Sequence, residues 1–198
     1  MSAKPWDARA AALLVRPFVD TRLHPNALTT LRLLVGLAGA WLFATGSEFN
    51  LAALCIVLSN FLDHTDGELA RMSGKMSVFG HRYDLFSDAL VTVGLFAGLG
   101  FGLTATLGDA AAVYGLVAGI AVAGIFQLRH MIESRHGKAA VRQASFAGFE
   151  TEDVLYLIPL VTLSNQEIGF LYAAAIGAPI ALLVVAVQFI RTGTAGGR

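Results

Sequence analysis

Long apolar stretches recur along the chain, and the polar positions collect in the short segments between them. Read as helix against the ~20 residues that cross a bilayer, the pattern predicts spans. Six is the most economical parse: residues 27–44, 50–73, 79–104, 110–132, 152–164 and 168–191. The fifth is short and contains Pro159, so five spans plus a re-entrant piece is the alternative. Ahead of the first span, Arg9, Arg16 and Asp20 recur on one helical face, and Leu14, Val15, Phe18 and Val19 fill the other. That pattern predicts an amphipathic helix lying in the membrane interface, with a frayed tail as the alternative. Three regions follow: 1–23 as the interfacial segment, 24–191 as a six-span membrane domain, and 192–198 as a flexible tail.

Composition agrees. The 198 residues are 56% hydrophobic and only 14% charged, against about 25% charged in a soluble domain. The expected fold class is therefore an all-α integral membrane protein, a six-helix bundle with no soluble module. A net charge of zero offers no electrostatic footprint for nucleic acid. Cys55 is the single cysteine, so no internal disulfide forms. Arg16 and Pro17 break the first apolar run, which predicts that no secretory signal peptide is present.

Charge sets the orientation. On this parse every Lys and Arg falls on one side, whereas the opposite loops "TGSEFN", "TLGDA" and "SNQEIG" carry no base. Basic loops stay cytoplasmic, so both termini and the loops on that side are expected there, in a cytoplasmic membrane. The small-residue stripes Gly94–Gly98–Gly102 and Gly115–Gly119 allow close helix approach, either within the bundle or in a homodimer. Trp6 reads as an interface anchor and Trp41 as a packing residue.

One segment works against this economy of charge. "LDHTDGELARMSGKMSVFGHRYDLFSDA" places Asp63, Asp66, Asp84 and Asp88 beside two apolar runs. Asp63 and Asp66 are three apart at the end of the second span, and so share a helix face. Gly80, Asp84 and Asp88 follow at steps of four on the third. A short polar turn at 73–77 predicts that the two helices are antiparallel neighbours, so the two acid pairs face each other. The neighbouring Lys and Arg look too few, and too polar in their surroundings, to compensate four acids. Facing carboxylates instead suit a hard divalent cation such as Mg²⁺ or Mn²⁺, which leaves positions open for substrate phosphates. Two such ions would clamp both oxygens of a phosphoryl displacement. Gly67 and Ala70, small residues beside Asp66, would let a substrate approach the backbone.

The order Asp-Gly-x2-Ala-Arg-x8-Gly-x3-Asp-x3-Asp, met by Asp66, Gly67, Ala70, Arg71, Gly80, Asp84 and Asp88, resembles the signature of the CDP-alcohol phosphotransferases. Asp63 supplies the further acid upstream. "HPNALTTLR" (24–32) is similar to the Pro-Asn-x-x-Thr stretch that opens the first span in that family. The resemblance implies a membrane enzyme of phospholipid synthesis. It would transfer a substituted phosphate from a CDP-alcohol, CDP-diacylglycerol above all, to an acceptor hydroxyl, releasing CMP. It implies that Asp63, Asp66, Asp84 and Asp88 hold metal and that Asp88 also takes the acceptor's proton. Gly67, Ala70, Arg71 and Gly80 would line the nucleotide, with Asn26 and Thr29 near the cytidine.

The chain departs from the pattern in one place. Family members that act on inositol phosphate or glycerol phosphate commonly carry a basic residue directly after the last aspartate; here that residue is Ala89. Residues that could contact an acceptor are Arg82, Arg129, Arg135, Lys138, Arg142 and Arg191, although cytoplasmic topology and lipid contact account better for most of them. Glu150, Glu152 and Asp153 could meet a polar head group or cap a helix N-terminus. His64 and His81 flank the aspartates and are expected outside the ligand set. A divalent-cation transporter is the competing reading, because intramembrane acids also mark ion paths. Transporters, however, place such sites near the midplane on broken helices.

Overall fold

The computed structural model describes residues 6–136 and 155–195. Among these residues the structure is helical throughout: α1 (Trp6–Val15), α2 (Pro25–Thr45), α3 (Phe49–Ser73), α4 (Val78–Gly102), α5 (Thr104–Leu107), α6 (Ala110–His136), α7 (Ile158–Leu163) and α8 (Glu167–Ala195). The starts have local causes. His24 Nδ1 accepts from the Asn26 amide and Pro25 opens α2; Ser77 accepts from the Gly80 amide at the start of α4. α2 and α3 stop at Gly46 and Gly74, both in the left-handed region.

Four helices are long and apolar enough to cross a bilayer: α2, α4, α6 and α8. α3 has 25 residues, roughly 37 Å of helix, but its second half carries Asp63, Asp66, Glu68 and Arg71 and is too polar to join them. The expected fifth span differs most. Its described part is a 3₁₀ turn at 155–157 followed by six residues of α7, roughly 9 Å of α-helix, with Pro159 in the first turn. Residues 152–154 of that span lie outside the described residues. α8 runs on to Ala195, past the expected boundary at residue 191.

α2 is the organising element. It packs against both α3 and α4, α4 packs on α6, and α6 packs on α8. α3 and α4 have little direct contact, so they are not the neighbours the short turn suggested. The cause is a small-residue edge on α2. A Cβ at Gly36 would come within 2.6 Å of Val91 on α4 and 2.8 Å of Ser59 on α3, so the bare glycine lets α2 wedge between the two. Beyond it, Phe43, Ala52, Ala53, Ile56, Val91, Leu95 and Leu99 close the core.

The glycine stripes are consumed inside the chain. A Cβ at Gly98 would land on the Ala40 carbonyl oxygen, and one at Gly115 on the Phe96 carbonyl oxygen. Gly94–Gly98–Gly102 therefore seats α2 on α4, and Gly115–Gly119 seats α6 on α4; neither stripe is left for a second copy. Gly98→Ala is expected to cost about 1–3 kcal/mol by overpacking. Gly177→Ala, with nothing within 4 Å of the added methyl, leaves the melting temperature unchanged or slightly raised. Equal melting temperatures for the two variants would contradict this packing.

α1 packs on α3, but through Ala11 and Val15, which are buried, whereas Leu13, Leu14 and Phe18 stay exposed. The helix ends at Val15 and a 3₁₀ turn follows, so Asp20 does not share its face. Trp41 is 72% exposed and faces outward from the bundle, not into it.

Candidate metal and substrate site

Helix ends bring the acids together. The C-terminal half of α3 supplies Asp63 and Asp66, and the first turns of α4 supply Asp84 and Asp88. One carboxylate oxygen each from Asp63, Asp66 and Asp84 lies within 4.8 Å of the others. This oxygen-only donor set fits a hard divalent cation. Asp88 is joined to the triad through a residue that sequence reasoning treated only as a marker of topology.

That residue is Arg32. Its side chain is 3% exposed and lies between the two acid pairs. One Nη1 is 2.7 Å from Asp63 Oδ1 and 2.6 Å from Asp88 Oδ1. The other, Nη2, donates to Asp84 Oδ1 at 2.8 Å and to the Asp84 carbonyl at 2.9 Å. Nε stands 3.5 Å from Asp66 Oδ2. A planar guanidinium with five N–H groups can address several carboxylates at once, which a lysine cannot. One buried arginine thus reaches all four acids, a contact the sequence reading missed, while its single positive charge offsets only part of theirs. α2 carries it to that point because α2 lies between α3 and α4. The sequence did hold a signal, since an arginine two turns inside an apolar span demands a partner.

The residues expected around the nucleotide gather at the same end. Thr29 donates to Asp66 Oδ2 at 2.6 Å, so its hydroxyl fixes a carboxylate. Asn26 stands against Gly80, where a Cβ would come within 3.0 Å of Asn26 Oδ1. The Arg71 guanidinium bonds Glu68 at 3.0 Å and lies over Gly67. Thr30 and Tyr83 share a 3.0 Å hydrogen bond across α2 and α4. Lys75 Nζ donates to the carbonyls of Thr21 and Leu23 and so ties the α3–α4 turn to the approach to α2. Ala70 is half-buried on the same stretch of α3. His64 Nδ1 is 3.7 Å from Asp63, and His81 stacks obliquely on His130 with ring centres 5.0 Å apart.

The basic residues considered for an acceptor are dispersed. Arg82 is exposed, Arg129 is half-buried, and Arg191 is exposed near the end of α8. Arg135 lies over the Phe189 ring at 5.2 Å, a cation–π contact between α6 and α8. Lys138, Arg142, Glu150, Glu152 and Asp153 lie outside the described residues.

A helical bundle with an arginine-braced carboxylate cluster at one end defines an integral membrane protein with a site for a divalent cation. The pattern of the CDP-alcohol phosphatidyltransferase family matches residues 22–190, and the chain belongs to that family. It is 35% identical over 94 residues to a bifunctional IPC transferase and DIPP synthase of Rubrobacter xylanophilus, covering 46% of this chain and 21% of that protein. It is 35% identical over 80 residues to an archaetidylinositol phosphate synthase of Pyrococcus horikoshii, covering 40% of this chain and 42% of the relative. The chain thus spans less than half the length of either curated relative. Its fold resembles that of phosphatidylinositol phosphate synthase of Mycobacterium tuberculosis with CDP-DAG bound, with a TM-score of 0.61 at 20% identity over 92% of this chain and 91% of that one. The same enzyme in complex with manganese and citrate gives a TM-score of 0.60, covering 91% of this chain and 86% of that one.

Proposed function

We propose that this protein transfers a substituted phosphate from a CDP-alcohol, CDP-diacylglycerol in the first instance, to the hydroxyl of an acceptor alcohol in phospholipid synthesis. The observation that carries the reading is the convergence of Asp63, Asp66, Asp84 and Asp88 on Arg32, with Asn26, Thr29, Gly67 and Gly80 at the same end of the bundle. Asp63, Asp66 and Asp84, with Asp88 at the edge, would hold two Mg²⁺ or Mn²⁺ ions, which would neutralise the donor's diphosphate and the charge of departing CMP. Thr29 keeps Asp66 oriented, and Arg32 spaces the four carboxylates. Arg71, Gly67, Ala70 and Gly80, at the same end of the bundle, would line the nucleotide. Asp88 takes the proton of the acceptor hydroxyl. The acceptor oxygen bonds to the β-phosphorus, the bond from that phosphorus to the bridging oxygen breaks, and CMP leaves with the bridging oxygen. The proton then passes from Asp88 to water.

The fold reading that goes with this function has six membrane segments counting α3 and the segment ending in α7. α1 lies in the interface, and the acid cluster and both termini face the cytoplasm. The one-sided distribution of Lys and Arg supports that orientation.

Thermal stability tests the site. CMP with Mg²⁺ or Mn²⁺ is expected to raise the melting temperature, because ligands that bind only the folded state stabilise it. EDTA should remove the CMP effect, and Asp66→Asn should weaken it. A response to metal with none to CMP would favour ion transport over transfer.

A further inference from the structure

The exposed side of α1 carries a pattern that the transfer reaction does not use. Arg9, Ala12, Leu13 and Arg16 stand at steps of three, four and seven, so they form one stripe down the helix and into the turn that ends it. Together with Met72, near the end of α3, they line an open groove of about 510 Å³. We propose that this groove binds the head group and upper acyl chain of an anionic phospholipid of the surrounding bilayer. The proposal rests on α1 lying in the membrane interface, as above, and not on the identity of the reaction.

Three observations carry it. First, the groove is apolar along its floor and cationic at both ends. Leu13 is 70% exposed and Met72 41%, surface that water disfavours and an acyl chain covers. Arg9 and Arg16 lie roughly 10 Å apart along the axis, seven residues at about 1.5 Å each. Arginines so placed lay their stems on apolar surface and turn their charged ends outward, and they flank one head group from two sides.

Second, both guanidiniums are exposed, and among the described residues neither pairs with an acid. A guanidinium grips two phosphate oxygens through parallel N–H groups. The sequence up to residue 23 adds Lys4 and Arg22 against Asp7 and Asp20, so the surroundings are net basic as well. An anionic head group is therefore preferred to a zwitterionic one, whose own cation repels the arginines. Third, α1 seats on α3 through the buried Ala11 and Val15. A lipid held between the outer stripe of α1 and Met72 bridges the same two helices and clamps α1 to the half of α3 that supplies Asp63 and Asp66. None of the lining residues belongs to the acid cluster itself.

The test uses the full chain in a neutral detergent at about 0.15 M salt. It is titrated with short-chain phosphatidylglycerol or with phosphatidylcholine of the same chains, and the melting temperature is read. Phosphatidylglycerol is expected to raise it by about 5 °C, and phosphatidylcholine by less than about 2 °C. A basic residue beside an anionic lipid contributes about five-fold in affinity. In Arg9→Gln/Arg16→Gln the phosphatidylglycerol concentration at half effect should accordingly rise about twenty-fold, and in Leu13→Gln about three-fold or more. Both variants should keep the rise caused by CMP and Mn²⁺, and Asp66→Asn should keep the rise caused by phosphatidylglycerol. Equal shifts from the two lipids overturn the inference, as does an equal shift from glycerol 3-phosphate, which has the anion without the chains. An unchanged phosphatidylglycerol response in the double variant overturns it too. Loss of that response in Asp66→Asn would place the lipid at the acid cluster and overturn it as well.

Discussion

Asp88→Asn is expected to lower kcat by about 10³-fold, within the 10²–10⁴ range that a positioned general base contributes, while CMP and metal still raise the melting temperature. The loss corresponds to about 4 kcal/mol at the barrier. Asparagine keeps an oxygen that can accept from Arg32 Nη1, which stands 2.6 Å from Asp88 Oδ1, so the brace around the cluster survives. What disappears is the capacity to take a proton. Asp88 also lies at the edge of the cluster: the close triad comprises Asp63, Asp66 and Asp84. Metal affinity should therefore fall less in Asp88→Asn than in Asp66→Asn or Asp84→Asn. CMP release by Asp88→Asn at the wild-type rate would remove this residue from the role of base.

The second large effect falls on Arg32. Breaking a buried ion pair by deleting one partner costs about 3–5 kcal/mol, because charge is left buried without compensation. Asp84 and Asp88 side chains are 34% and 37% exposed, so water screens part of the loss and the lower end applies to Arg32→Gln. In a chain of this size about 3 kcal/mol corresponds to a fall of roughly 10 °C in melting temperature. The readout that separates this role from ordinary packing is the metal response. With the guanidinium gone, the carboxylates repel one another and a divalent cation is the remaining compensation. Mn²⁺ should then raise the melting temperature of Arg32→Gln by more than it raises that of the wild type. Arg32→Lys should recover part of the stability but not the spacing, since an ammonium cannot bridge four carboxylates with fixed geometry. Identical stability and metal response in wild type and Arg32→Gln would exclude the brace.

Much of this arrangement was legible from hydrophobic period and spacing. The spans predicted at 27–44, 50–73 and 110–132 lie within α2, α3 and α6, with boundaries off by a few residues. The four aspartates were identified by their steps of three and four, and they converge as expected. What the pattern could not supply is direction around each helix. Trp41 reads as core by type and lies outside. The short turn at 73–77 suggested that α3 and α4 are partners, whereas the glycine edge of α2 admits α2 between them. Once α2 is placed there, Arg32 and Thr29 change meaning: one turns from a topology marker into the centre of the site, and the other holds Asp66. The fifth span was harder to read for another reason, because a proline in the first turn of the six-residue α7 fits a bend as well as a crossing.

The same brace bears on how the chain enters the bilayer. An arginine inside α2 and the acids of α3 are each costly to release into lipid alone, at about 2.5–3.5 kcal/mol per charge at mid-depth and less toward the interface. Paired, they cancel part of that cost before any metal arrives. α2, α3 and the start of α4 are therefore expected to enter the membrane as one insertion unit, with the least apolar helix carried in by the charge of the helix that precedes it.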